Sequence, residues 1–497
     1  MQTGTNSTTI HPVVPAPFGR RAESHYLKSP SIRFPAMLRW QRFGAGFSYA
    51  RLLRRFALAV PIALAFAGGQ VALGQLTTEV LIGDSVSDLG PRYSDIDEAI
   101  KRFANRDVLG ARQFLEAALR KNPNLPPVDL LLAKMSFLTG DAASGLVALE
   151  RTASENPGDP EPFIILADQA ILQGQTIPAD ALYDRAMELI EKYAGNAKRK
   201  RSLEIRARSG RSLVAERRRN WQLAAQDLMA LLQLDPENAN AHYRLGRALF
   251  MQNKPKEGLD EFVKANQIDK NLPNPNVAAA MMYEQLGQRN EAKSAFETAV
   301  KADRNDVKTL AAYAQWLLQT GDVARAETAL AAARRVDPEN LDILILSGAA
   351  ARMAKKMKPA EDYFVAALRL SPSNAAVINQ LALLLIDQPD EQKRQRALEF
   401  AKINALLQPN NAESNITLAW VLYQIGNNRE AEAALRKGLQ AGNPSPDSNF
   451  LIAKILVDQN KPDVAKQFLN YALESDTGAL FLLREDAQKL KEQLGGP

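Results

Sequence analysis

Histidine and cysteine, the side chains most often used for nucleophilic, acid–base and metal chemistry, are nearly missing from this chain. Among its 497 residues there are three histidines and no cysteine. The missing thiols exclude a disulfide framework, a thiol nucleophile, a thiolate zinc site and an iron–sulfur cluster. His11 and His25 fall in the first 74 residues, and His242 has no HExxH, Walker-type or nucleophile-elbow motif around it. We therefore predict no catalytic residue, no metal and no cofactor, with a carboxylate-only enzyme as the alternative.

Basic residues are the second group that could bind a ligand, and they are concentrated in two places. The formal charge is +6, from 62 Lys/Arg and 56 Asp/Glu. Residues 1–74 hold nine Lys/Arg and one acid, and residues 198–219 hold ten Lys/Arg and two acids. The second group could bind an anionic polymer, or it could be a solvated helix face. Nucleic acid is not predicted as a partner, because aromatic residues are not interleaved with these basic residues. This basic belt consists of Lys198, Arg199, Lys200, Arg201, Arg206, Arg208, Arg211, Arg217, Arg218 and Arg219.

The N-terminal basic cluster belongs to a predicted export signal. The stretch RLLRR at 51–55 precedes an apolar core at 56–67, and a small-x-small site ends at Gly74. We predict a leader and signal peptide over 1–74 and a periplasmic or secreted protein. One alternative is an uncleaved inner-membrane anchor over 56–74, which would be the only predicted contact with a membrane. The other alternative is a mitochondrial presequence.

The rest of the chain is dominated by one repeating pattern. A small residue is followed by a large apolar residue, a second small residue and often a proline, as in Ala326, Leu330, Ala333 and Pro338. The spacing between units is 34 residues, apart from one of 45 and one of 37. The pattern begins at Ala111, Gly145, Ala179, Ala224, Gly258, Ala292, Ala326, Ala360, Ala397, Ala431 and Ala465.

Each unit also has an apolar first half, which the residue spacing places on one helical face. Leu245, Gly246 and Leu249 illustrate its spacing of three and four. A glycine such as Gly321 marks a turn between the halves, and the proline at the end of a unit stops its second helix. Each unit is therefore predicted to be a helix–turn–helix.

These units resemble the tetratricopeptide repeat family over residues 92–479. The resemblance implies an all-α, right-handed superhelical solenoid of about eleven repeats, with stacking that buries a continuous core. The expected divisions are a linker at 75–91, repeats 1–3 at 92–193, a basic insertion at 194–204, repeats 4–11 at 205–479, and a capping helix and tail at 480–497.

The first helices of that family line a concave groove that binds an extended peptide or a partner helix. Exposed aromatic and arginine side chains of this kind often anchor interfaces. By resemblance, the candidate groove residues are Tyr243, Arg247, Phe250, Met251, Met281, Gln315, Arg352, Asn379, Trp420, Tyr423, Phe450 and Lys454.

The sequence thus predicts a non-catalytic scaffold for protein–protein interaction outside the cytoplasm. The resemblance suggests envelope assembly, secretion or polysaccharide export as its setting. One alternative is an anionic glycan or cell-wall binder that acts through the basic belt. The other is an accessory subunit of an envelope enzyme.

Overall fold

The regular elements of the described chain are all helices, as predicted. The computed structural model describes residues 76–86, 93–474 and 480–495, so the predicted signal peptide lies outside the described residues. Eleven helical pairs are flanked by α1 (Thr78–Ile82) and α24 (Arg484–Gln493). The first helices of the pairs are α2 (Ser94–Ala104), α4 (Val128–Leu138), α6 (Glu161–Leu172), α8 (Ala197–Arg217), α10 (Ala239–Met251), α12 (Pro275–Gln285), α14 (Val307–Gln319), α16 (Leu341–Met353), α18 (Ala375–Ile386), α20 (Ala412–Gln424) and α22 (Pro446–Asp458). The second helices are α3 (Val108–Lys121), α5 (Ala142–Glu155), α7 (Thr176–Lys192), α9 (Trp221–Leu234), α11 (Pro255–Ile268), α13 (Arg289–Ala302), α15 (Val323–Val336), α17 (Met357–Leu370), α19 (Glu391–Leu407), α21 (Asn428–Ala441) and α23 (Pro462–Glu474).

Asparagine and aspartate side chains fix where many of these helices begin. Asp141 Oδ1, for example, accepts a hydrogen bond of 3.1 Å from the Ser144 N–H at the start of α5. Such an N-cap satisfies one of the backbone donors that a helix leaves without an intrahelical partner. Asn340 and Asn374 cap α16 and α18 in the same way.

The turn inside ten of the eleven pairs contains a residue with a left-handed backbone. The φ angles at these positions lie between 57° and 86°. Glycine, which sequence analysis placed there, adopts this conformation without steric strain, whereas other residues do so at a cost. The ten residues are Arg106, Gly140, Gly174, Arg219, Asn253, Gly287, Gly321, Lys355, Gly426 and Asn460.

Small residues let the two helices of a pair approach closely. The small residue that begins each repeat pattern lies in a second helix and is buried in every unit. In the pair α10/α11, a Cβ added to Gly258 would lie 2.5 Å from the Phe250 ring and 2.8 Å from the Gly246 carbonyl oxygen. Large residues such as Phe296 and Phe364 fill the remaining space.

The pairs stack in chain order into a solenoid. Nearly every helix packs against the next along the chain, and several neighbouring first helices also contact each other, as α18 does α20 and α20 does α22. Buried apolar clusters follow one another along the stack of pairs. Among the described helices, none combines the length and apolar composition that crossing a bilayer requires.

The segment that sequence analysis treated as a linker is packed into the fold where the structure describes it. Leu81 and Ile82 of α1 are fully buried. Lys134 Nζ donates to the Leu81 carbonyl oxygen at 3.2 Å, and Lys198 Nζ donates to the Val86 carbonyl oxygen at 2.8 Å. Residues 76–86 are thus held against first helices of the N-terminal pairs.

Candidate partner-binding surface

Four of the predicted groove residues line one cleft on the first helices. Arg352 of α16, Trp420 of α20, and Phe450 and Lys454 of α22 surround a volume of about 430 Å³. Asp387, which follows α18, completes this wall. We call this volume the distal cleft. It spans four consecutive first helices, so it exists only because the repeats stack.

The distal cleft combines aromatic faces with a buried arginine, a half-buried lysine and an exposed aspartate. Lys454 Nζ lies 4.5 Å from the centre of the Trp420 ring and 5.8 Å from that of Phe450, which are cation–π distances. Arg352 Nη1 donates to Gln380 Oε1 at 2.6 Å, and its Nη2 lies 3.8 Å from Asp387 Oδ2. Burial lowers the pKa of Arg352 and raises that of Asp387, so both charged forms are disfavoured.

The C-terminal segment contacts the last pair, as expected of a capping helix, and it also lines the distal cleft, which the sequence did not predict. Residues 480–494, which we call the strap, supply Leu483, Asp486, Lys489, Leu490 and Gln493 to its lining. The amphipathic pattern predicts a helix here, and α24 is that helix, but nothing in the pattern indicates that the strap lies on the first helices.

Asp447 of α22 anchors the strap. Its carboxylate accepts hydrogen bonds from the Leu483 N–H at 2.9 Å and the Leu482 N–H at 3.3 Å. Burial nevertheless raises the pKa of Asp447 to about 6, with Glu413 contributing in the same direction, while Arg352 and the two N–H groups oppose the rise. The anchor is therefore a carboxylate whose charge is only partly compensated.

Other predicted groove residues lie on the exposed side of α10, α12 and α14, which we call the central face. Met281 and Gln315 are exposed, and Arg247 and Met251 are half-buried. Tyr243 is half-buried beside Phe262, with 5.1 Å between ring centres.

Phe250 and Asn379 are buried, as are Arg352, Trp420 and Phe450 of the distal cleft at 8%, 2% and 4% exposure, whereas Tyr423 lies nearer the surface. Phe250 is 1% exposed, because its ring fits between those of Phe262 and Tyr283. Asn379 is 8% exposed and accepts a hydrogen bond of 2.6 Å from Asn404 Nδ2. The hydroxyl of half-buried Tyr423 donates to Asp458 Oδ2 at 3.2 Å. The repeat period predicts which helix a residue lies in, but it does not predict which neighbouring side chains bury that residue.

The basic belt is largely committed to acceptors of the protein itself. The predicted insertion at 194–204 includes the first residues of the belt, whereas in the structure nearly the whole belt lies in the long helix α8. Nearly all of its cations meet carboxylates or carbonyl oxygens, so the belt does not present a continuous free cationic surface. Arg199 pairs with Asp159 and Glu161, Arg206 with Asp168, Arg208 with Glu204 and Asp227, Arg211 with Asp184 and Asp227, and Arg218 with Asp180, while Lys198, Lys200, Arg201 and Arg217 donate to backbone oxygens.

His242 has the surroundings of a packing residue. It is 9% exposed, with Nδ1 2.5 Å from Glu261 Oε2 and Nε2 2.9 Å from the Pro236 carbonyl oxygen. Both ring nitrogens are thus occupied by protein atoms. Within the described ranges, no group of three His, Asp or Glu side chains is arranged to hold a metal ion.

Comparison with known proteins gives a family and several similar structures. Models of the tetratricopeptide repeat match residues 210–271, 283–348 and 416–479. No curated protein matches the chain. The crystal structure of yeast Tom70 is 16% identical and covers 81% of this chain and 96% of its own, with a TM-score of 0.36. A tetratricopeptide repeat protein from Parabacteroides merdae is 15% identical over 59% of this chain and 98% of its own, with a TM-score of 0.37. Pseudomonas aeruginosa PilF is 20% identical over 43% of this chain and 96% of its own, with a TM-score of 0.31.

Proposed function

We propose that this chain, which belongs to the tetratricopeptide repeat family, is a non-catalytic scaffold that binds a segment of a protein partner along its first helices. The central face is the observation that carries this proposal. Met281, at 37%, and Gln315 are exposed there and Arg247 and Met251 are half-buried, while most apolar residues of the same helices are buried.

The chemistry of the central face suits an extended peptide or a helix. Met251 and Met281 are flexible apolar side chains that adapt to different partner surfaces. Arg247 and Gln315 beside them supply donors that fix the orientation of a bound backbone or carboxylate.

A groove substitution tests this proposal against an equivalent change elsewhere. Full-length tagged protein is crosslinked in cells, and the captured partner is then measured for Met281→Asp and for Leu406→Asp. Met281 is 37% exposed on a first helix, and Leu406 is 79% exposed on a second helix. We expect Met281→Asp to reduce capture about tenfold, because a charge is forced into an apolar contact, and Leu406→Asp to leave capture unchanged. Equal capture by both variants would contradict the groove proposal.

The proposed setting is outside the cytoplasm, in envelope assembly, secretion or polysaccharide export. The charge and apolar pattern of residues 51–74 supports export. N-terminal sequencing of the mature protein is expected to give Gln75, and added protease is expected to reach the protein in cells whose outer barrier has been opened. A protein that retains its leader and resists protease there would contradict export.

A further inference from the structure

The strap covers the distal cleft in the way that a bound ligand would. Leu480 packs against the apolar cluster that contains Tyr313 and Trp316, and Phe481 is 4% exposed in the cluster that contains Trp420 and Phe450. The strap therefore runs across several first helices before α24 reaches α22 and α23.

We propose that the strap is a built-in occupant of the distal cleft, and that the cleft binds a partner's amphipathic helix of the same chemistry, which displaces the strap. This inference rests on the proposed function, because it names the kind of partner segment that one part of the scaffold accepts.

The strap defines the chemistry of that partner helix. Its first turn carries Glu485 and Asp486, and Asp486 lines the cleft together with the cations Arg352 and Lys454. Its apolar residues Leu483, Ala487, Leu490 and Leu494 recur at spacings of four and three, which puts them on one helical face. A fitting partner helix therefore has an acidic first turn followed by a leucine stripe.

Several features indicate that the strap is held weakly. Ala487 is the single buried residue of α24, whereas most residues of α22 are buried. A helix of ten residues has little stability of its own, so it depends on this contact. The distal cleft also remains between the strap and the first helices, which means that part of their surface is not in close contact.

The charges beneath the strap add to this weakness. Arg352 is buried and Asp447 is half-buried, and burial displaces the pKa of each toward the neutral form. Opening of the strap returns Arg352 and Asp447 to water. This gain offsets part of what opening loses, which is the apolar contact and the two hydrogen bonds that Asp447 accepts from the strap.

The absence of cysteine from the chain permits a direct test with single thiols. The full-length variant Ala487→Cys places a thiol beneath the strap, and Ala401→Cys places one in the core between α18 and α19; both alanines are 0% exposed. We expect a maleimide to label Ala487→Cys about tenfold faster under native conditions, because strap opening does not require unfolding of the solenoid. Equal labelling rates in two variants of the same helical content would overturn the proposal.

A synthetic peptide of residues 480–495 then serves as the partner helix. At about 1 mM, where it competes with a tethered segment, it is expected to accelerate labelling of Ala487→Cys but not of Ala401→Cys. The matched control is the same peptide with Leu483→Asp and Leu490→Asp, which is expected to have no effect. No acceleration, or the same acceleration by the control peptide, would overturn the proposal.

The outcome of the strap experiments can be distinguished from a failure of the proposed function. Met281→Asp in the Ala487→Cys background tests the central face without touching the strap, so the response to the peptide is expected to persist. Loss of partner capture with a retained peptide response would remove the central-face proposal alone.

Discussion

At the scale of single residues, a buried ionic cluster joins distant parts of the N-terminal pairs. Glu161 is 1% exposed and pairs with Lys134 Nζ at 2.5 Å and Arg199 Nη2 at 2.8 Å. Arg199 also pairs with Asp159 at 2.9 Å. Burial by itself disfavours the Glu161 carboxylate, but the two cations outweigh it and lower the pKa of Glu161 to about 2. Arg199, which sequence analysis placed in an anion-binding belt, is thus a buried structural cation.

Replacing Glu161 by Gln leaves two buried cations without their shared carboxylate. We expect Glu161→Gln to reduce the free energy of unfolding of this region by about 3–5 kcal/mol at pH 7, measured by urea denaturation. Because the folded pKa is depressed from 4.5 to about 2, this stability is present above pH 4.5 and is lost as the pH falls through 2. The exposed Glu150→Gln is the control, and equal stabilities of the two variants at pH 7 would contradict the prediction.

At the scale of elements, the helix–turn–helix unit tolerates turns that are not optimal. The left-handed turn position carries glycine in five units and Arg, Asn or Lys in the other five. The periodicity predicted the turn, but a non-glycine residue gives no local sign of a positive φ. Stacking of the neighbouring helices imposes the same turn wherever the 34-residue spacing is kept.

Lys355 offers a test of this strain, because its φ is 60° and its side chain is exposed. We expect Lys355→Gly to increase the free energy of unfolding by about 1 kcal/mol, since glycine adopts this conformation without a Cβ clash. The reciprocal change Gly321→Ala, at a φ of 85°, is expected to decrease it by a similar amount. Thermal unfolding followed by circular dichroism measures both, and shifts of the same sign would contradict the argument.

At the scale of the whole described chain, contacts pass from each pair to its neighbours, while segments from both ends lie across several first helices. Solenoids of this kind have stabilities that are roughly sums of local terms. Residues 76–86 and the strap are exceptions to this additivity, because each contacts several pairs at once. Regions next to them are therefore expected to be stabilised together.

A substitution in α1 should consequently have a regional effect. Leu81 is 0% exposed, so Leu81→Ala is expected to remove about 2–5 kcal/mol from the N-terminal pairs. Hydrogen exchange followed by mass spectrometry should show faster exchange in α2–α5, with α18–α23 unchanged. Leu109→Ala, at a residue 77% exposed, is the control. Uniform acceleration along the chain would contradict the regional stability.

The repeating unit of this protein can be predicted from sequence alone, since a 34-residue period, a small residue at each close approach and a turn signal are all local features. Helical spacing also placed the apolar residues of each first half on one side of a helix, whereas the groove residues were predicted only by resemblance to the family. The tertiary structure was needed to show that Phe250 and Asn379 are interior, that most cations of the basic belt bind acceptors of the protein itself, and that α1 and the strap lie against first helices. Lys134 meets a carbonyl 53 residues away and Lys198 one 115 residues away. Such contacts cannot be predicted from the repeat period, because they depend on which surfaces the stacked repeats bring together in space.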